Sequence, residues 1–553
     1  MPPNHGSRLR GFRFLVAATG ALVALASLAC NGAPALSPEQ TPTRTPEPLP
    51  TLTPDPFAVV PTLEPLPPLS LDVRTTFYGE EAGDGAMGLA TGDFNGDGAP
   101  DVVLAAPFGD GPHNTRPDGG EAYIFFGPFA GGETRDAAFG QQDITIFGPD
   151  EGDQLGRALA AGDVNSDGID DLVLAAPFAD GPANDRPESG ESYVLLGTAS
   201  WPETIDLADD EPASVAMGPD SNDLAGFSLA TGDFNGDGTS DVLIGALWAD
   251  GPGNARTDAG EAYVLLGSSS WPRVVDLHQS APDVLIYAAQ ADDRLGETVA
   301  AGDVTGDGVD DLILPAPFAS GPGDSRSKAG KVYVLAGGAL ERAYDMALDQ
   351  PDSTVLGPDE GDQIGHSAAI GDFNGDGVGD MLLAAVSADG ANNRVDLAGE
   401  AFLVPGGRAL PPTIDTLQGE EALRIYGADT VDRLGRGVAG GDLNGDGFSD
   451  LLLAATGGDG AGGLTKDAGR VYVLLGRPHL LGALDLSLHK VDLVIDGLDP
   501  NDVLGHNSFG KPSLLTADVD RDGLADVIVS ALGDGPLNER PDAGEAYVLF
   551  SRR

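Results

Sequence analysis

The ten residues GDFNGDGAPD, Gly92 to Asp101, decide how the rest of the chain is read, because they return six more times. GDVNSDGIDD begins at Gly162, GDFNGDGTSD at Gly232, GDVTGDGVDD at Gly302, GDFNGDGVGD at Gly371, GDLNGDGFSD at Gly441 and the divergent ADVDRDGLAD at Ala517. The leading aspartates are separated by 70, 70, 70, 69, 70 and 76 residues. A fixed period of this size marks a repeat architecture in which each unit buries its apolar surface against its neighbours. The last interval is longer because the seventh repeat carries extra residues in NDVLGHNSFGKPS, Asn501 to Ser513.

Each repeat reads as four short strands. In the second these are the small residues Gly156 to Ala161, then Leu172 to Ala176 after the acidic loop, then Tyr193 to Leu196, and a fourth at Val215 to Met217. Apolar runs this short, bounded by Gly, Pro and Asp, suit strands buried on both faces, and no segment sustains a 3.6-residue period. Four strands per repeat make a propeller blade, so the expected fold is an all-β, seven-bladed β-propeller of four-stranded blades. Gly and Ala concentrate in the first strand, where blades crowd the axis. The seventh repeat ends on its third strand, Tyr547 to Phe550, while Thr75 to Gly79 matches the fourth strand Ile144 to Gly148. Pairing that N-terminal strand into the last blade would close the ring and remove both sheet edges.

The recurring loop is Asp-x-Asn-x-Asp-Gly-x-x-Asp. Its side-chain oxygens at positions one, three, five and nine, with a carbonyl at position seven, match the needs of a hard cation that takes six or seven oxygen ligands. The expected ligands are Asp93, Asn95, Asp97 and Asp101; Asp163, Asn165, Asp167 and Asp171; Asp233, Asn235, Asp237 and Asp241; and Asp303, Thr305, Asp307 and Asp311. They continue as Asp372, Asn374, Asp376 and Asp380; Asp442, Asn444, Asp446 and Asp450; and Asp518, Asp520, Asp522 and Asp526. Gly at position six permits the sharp turn. Up to seven Ca2+ ions are expected, with Thr305 marking the weakest site. Asx-turns at hairpin tips are the alternative reading. Against it, three or four carboxylates within nine residues repel one another without a cation.

The loop, with the preceding Leu-Gly and the following Ala-Ala-Pro-Phe (Ala105 to Phe108, Ala175 to Phe178), resembles the FG-GAP repeat of the integrin α-subunit propeller. The fifth and sixth repeats depart from it, with Val386-Ser387 and Thr456-Gly457 in place of Pro-Phe. The resemblance implies calcium loops on one face and ligands met by the loops of the other. On that other face a second motif recurs: Asp110 to Arg116, Asp180 to Arg186, Asp250 to Arg256 and Asp534 to Arg540. It reads either as a ring that receives a protein or glycan, or as arginines that pair with neighbouring acidic loops such as Gly148 to Asp153 and order the turns. Repetition in most blades favours the second.

A net charge of -57 argues against nucleic acid or an anionic membrane as a direct partner. The chain divides into a signal peptide (1–29), a tether (30–70) and the propeller (71–553). Arg8, Arg10 and Arg13 precede a sixteen-residue apolar run, Phe14 to Ala29, which suits a secretory signal better than a membrane span. Ser27-Leu28-Ala29-Cys30 resembles a bacterial lipobox, and the single cysteine of the chain falls there; ordinary cleavage after Ala29 is the alternative. Lipidation at Cys30 would anchor an exported protein at the cell surface. Twelve prolines between Pro34 and Ser70 favour an extended stalk.

No catalytic constellation stands out, and a non-enzymatic, calcium-stabilised adhesion or protein-interaction module is expected. A lectin-like propeller is the alternative, although Trp201, Trp248 and Trp271 are too few to supply one aromatic platform per blade. An exported hydrolase that uses the propeller as a scaffold is the third reading.

Overall fold

The computed structural model describes residues 71, 74–460, 463–506 and 513–552, all within one compact unit, Pro54–Arg553. The signal, Cys30 and stalk assignments lie outside the described residues.

Seven antiparallel sheets follow one another along the chain, each built on one repeat. In the first blade the strands are Gly88–Gly92, Asp101–Ala106, Glu121–Phe125 and Ile144–Phe147, paired in sequence order. The second strand of every blade is buried along its whole length, from Asp101–Ala106 to Asp526–Ala531. This is why these runs are continuously apolar rather than alternating: neighbouring blades cover both of their faces.

The core lies between blades. Phe94, Val103 and Ile124 of the first blade pack with Leu172, Leu174 and Tyr193 of the second. Close approach at the axis explains the small first strand, since a Cβ on Gly88 would meet Leu159 Cδ1 at 2.8 Å and the Gly156 carbonyl at 2.9 Å. Hydroxyls cross the same seams: Ser228 donates to the Gly296 carbonyl at 2.9 Å and Thr298 to that of His366 at 2.9 Å.

The ring closes through the N-terminal strand. Arg74–Tyr78 pairs antiparallel with Glu545–Leu549, placing Thr76 opposite Tyr547. Phe77 on this strand is fully buried, its ring 4.8 Å from Phe125 and 5.3 Å from Phe129 of the first blade. One cluster therefore joins Phe77, Ile528 and Val548 of the last blade to Leu104 and Tyr123 of the first.

The four-stranded expectation needs a correction. Six sheets carry a fifth strand of two to four residues, donated by the next repeat and parallel to the fourth. Thr204–Asp206 lies on Ile144–Phe147, Val274–Asp276 on Ser214–Met217, and Thr134–Asp136 on Arg74–Tyr78. Such segments are too short to stand out by period, but they cover the outer edge that a four-stranded blade would expose. Among the described residues, the sixth sheet, Leu434–Asp496, keeps four strands.

Candidate functional site

The acidic loops form the hairpins between first and second strands, and each is built the same way. The position-two side chains, Phe94, Val164, Phe234, Val304, Phe373, Leu443 and Val519, are fully buried and pin the loop to the core. The position-one carboxylate accepts from the backbone N–H groups of positions five and six: Asp93 from Asp97 at 3.0 Å and Gly98 at 2.7 Å, and Asp518 from Asp522 and Gly523 at 2.9 Å. Position five accepts from position seven, as Asp97 does from Ala99 at 2.8 Å. Gly98, with φ +82°, makes the turn that points these N–H groups inward.

The position-nine aspartates are fully buried and tie each loop to the end of the third strand. Asp101 accepts from Phe94 N–H at 2.9 Å and Gly127 N–H at 2.9 Å; Asp171 accepts from Val164 at 2.9 Å and Gly197 at 2.8 Å; Asp526 accepts from Val519 at 3.1 Å and Ser551 at 2.8 Å. Burial, reinforced by the carboxylates of positions five and one, pushes Asp101, Asp171 and Asp450 up to about 7.

Successive loops are chained together. The position-eight N–H donates to the position-one carbonyl of the preceding loop: Asp170 to Asp93 at 3.1 Å, Ser240 to Asp163 at 3.0 Å, Asp310 to Asp233 at 3.1 Å, Gly379 to Asp303 at 2.9 Å, Ser449 to Asp372 at 2.8 Å and Ala525 to Asp442 at 2.9 Å. The seventh link cannot form, because position eight of the first loop is Pro100, which has no N–H. There Arg521 of the seventh loop reaches the Asp97 carbonyl at 3.4 Å.

Two loops differ from the rest. Thr305 makes the position-three contact to position nine with its hydroxyl, at 3.4 Å from Asp311, where Asn95, Asn165 and Asn374 use an amide nitrogen and keep a separate amide oxygen. In the seventh loop Asp518, Asp520 and Asp522 offer oxygens within 4.8 Å of one another, but Arg552 Nη1 lies 2.8 Å from Asp520 and 2.9 Å from Asp522. The oxygen-rich donor sets of the first six loops fit a hard cation, while the seventh already has a guanidinium against two of its carboxylates.

On the other face the arginines of the second motif bind the backbone carbonyls that open the neighbouring acidic loops, as expected, but their carboxylate partners lie elsewhere. Each reaches the fifth strand donated by the next repeat, together with a backbone carbonyl. Arg256 donates to the Ala288 carbonyl at 2.6 Å and sits 2.6 Å from Asp345; Arg186 is 2.8 Å from Asp276; Arg540 donates to Gly79 at 2.7 Å and Asp136 at 2.6 Å. Arg116 holds Gly148 and Asp206 in the same way. Arg326 belongs to this set, 2.7 Å from both Gly357 and Asp415; Ser320 in place of the leading Asp hid it in the sequence, although Gly-Pro-x-x-x-Arg was legible.

Comparison with known proteins agrees with this construction. The FG-GAP repeat family model matches residues 86–125, 155–195, 225–265, 295–335, 434–474 and 512–549. Phosphatidylinositol-glycan-specific phospholipase D of Rattus norvegicus is 33% identical over 218 residues, covering 39% of this chain and 24% of that protein. Integrin alpha pat-2 of Caenorhabditis briggsae is 28% identical over 42% of this chain and 18% of its own length, and integrin alpha-V of Gallus gallus is 29% identical over 44% and 21%. The chain thus spans about a quarter or less of the length of these relatives. With six matched repeats in a ring of seven blades, it is an integrin-α-like FG-GAP β-propeller.

Proposed function

We propose that the chain is a calcium-stabilised interaction module of the exported, cell-surface kind, with cations clamping one face and a protein or glycan met by the other. The observation that carries this reading is the ring of loops, chained by hydrogen bonds from position eight to position one, each presenting carboxylates at positions one, five and nine. Bound Ca2+ supplies neutralising charge to each set. The side chains of positions one, three, five and nine would hold it, with the position-seven carbonyl. The backbone bonds already made by Asp93 and Asp101 orient the loop beforehand.

Clamped hairpins would hold the opposite loops in a fixed ring, which suits a rigid docking face. Export and a lipid anchor at Cys30 rest on the sequence of residues 1–30; among the described residues no helix is long and apolar enough to cross a membrane. Globomycin sensitivity and acyl labelling of Cys30 test the anchor. Lack of both points to ordinary cleavage.

The similarity to the phospholipases D favours a second reading, a propeller that accompanies hydrolase chemistry. A phosphodiesterase screen with turnover abolished by one carboxylate substitution would establish it. Titration with calcium and a chelator, described below, tests the first reading.

A further inference from the structure

The arginine clasp is present in five repeats; the fifth and sixth lack it, with Val395 and Thr465 in its place. Val395 stands where Arg116, Arg186, Arg256, Arg326 and Arg540 stand elsewhere, and the Asp485 carboxylate of the donated strand accepts from the Ser487 hydroxyl at 2.5 Å beside the backbone bond common to these aspartates. A second break lies beside the first. In the first and third blades a tyrosine donates to the buried glutamate at the head of its own strand, Tyr123 to Glu121 at 2.6 Å and Tyr263 to Glu261 at 2.8 Å. In the fifth blade that tyrosine is Phe402, and Glu400 has no such donor.

In the same blade lies a cavity of about 340 Å3, lined by Gly390, Asn393, Glu400, Glu421, Arg424 and Tyr426 among others. Glu400 is 3% exposed, and its Oε2 has no hydrogen-bond partner among the described residues; the same holds for Glu421 Oε2. Arg424 is already engaged: its Nε donates to Glu421 Oε1 at 2.8 Å, another nitrogen reaches the Thr416 carbonyl, and its guanidinium lies 5.0 Å over the Phe402 ring. Asp359 adds a third carboxylate to the lining. A buried carboxylate without a donor is costly, and a cavity with this surplus of acceptors repels anions.

We propose that the fifth blade carries a socket for an organic cation, a guanidinium or ammonium group on a flexible stem, which takes up the free oxygens of Glu400 and Glu421. The socket lies on the face opposite the acidic loops and deepens the interaction-module reading. A small probe tests it apart from that reading, whether or not a macromolecular partner exists.

The test uses the whole chain and N-acetyl-arginine amide, with N-acetyl-citrulline amide as the neutral isostere, followed by calorimetry or ligand-observed NMR. Saturable binding of the arginine compound, at least tenfold weaker for citrulline and for the E400Q/E421Q double variant, is the expected result. E421Q alone should weaken binding, because it removes one of the two free oxygens. F402Y, which supplies Glu400 with a hydroxyl as Tyr123 does for Glu121, should weaken binding without removing a carboxylate. Binding by the amide alone identifies a free small cation as sufficient, and binding only by arginine within a longer peptide identifies a partner's side chain; either supports the socket. Equal binding of citrulline, unchanged binding to F402Y, or no saturable binding of amide or peptide overturns it.

Discussion

Arg540 and Asp136 meet at 2.6 Å although 404 residues separate them, and Asp136 is 4% exposed. This contact joins the last repeat to the strand that the first repeat donates, on top of the backbone pairing of Arg74–Tyr78 with Glu545–Leu549. R540A leaves a buried carboxylate without its cation, which costs about 3 kcal/mol or more. Urea unfolding should show that loss, while E539A, at an exposed neighbour, should leave the midpoint unchanged.

The seam beneath this contact is apolar. Phe77 is fully buried against Phe125 and Phe129, so F77A creates a cavity and costs about 3–5 kcal/mol. Differential scanning calorimetry should give a single lowered transition, since opening one seam breaks the ring. Two separated transitions would mean that the blades unfold independently.

The ion-free protein should be more stable near pH 5.5 than near pH 8. Burial pushes Glu121 and Glu261 up to about 7, Asp153 up to about 7 and Asp223 up to about 8. A carboxyl raised in the fold binds its proton more tightly than in the unfolded chain. Its stabilisation is therefore full below the unfolded value, near 4.5 for Glu, and is lost as pH rises through the folded one. His366, pushed down to about 3 chiefly by burial, acts the other way below pH 6.5, so a further fall toward pH 4 erodes part of the gain. Melting in chelator across pH 4–8.5 checks both arms.

Much of this molecule was legible because the repeat states it seven times. The 70-residue period, the strand triplet around each loop and the N-terminal partner for the last blade followed from residues such as Thr75 to Gly79 and Tyr547 to Phe550. The donated fifth strands were not legible, because they are segments of two to four residues held mainly by a neighbour and, as at Thr204–Asp206, by an arginine 90 residues earlier. The clasp was read by half for the same reason: sequence proximity pointed to the acidic loops, whose backbone carbonyls the arginines do bind, while the fold brings in the carboxylates Asp206, Asp276 and Asp345. Arg552 was missed because it falls outside the loop motif whose carboxylates it meets. Val395 and Phe402 stood in plain sight, but their meaning depends on what the same positions do in other blades.

The seventh loop should differ from the other six. Arg552 holds Asp520 and Asp522, so calcium must displace a guanidinium to enter. R552A should add one ion to the stoichiometry without changing the binding of the others, as read by calorimetric titration. An unchanged count would mean that the arginine does not compete.

Calcium titration of the chelator-treated chain, paired with melting in the presence and absence of the ion, bears most directly on the proposed role of the loops. Six ions per chain, with a large loss of melting temperature on chelation, are expected from the six loops that lack an internal cation. No binding, or a single ion with unchanged melting, would contradict the clamp and leave the acidic loops as Asx-turned hairpins.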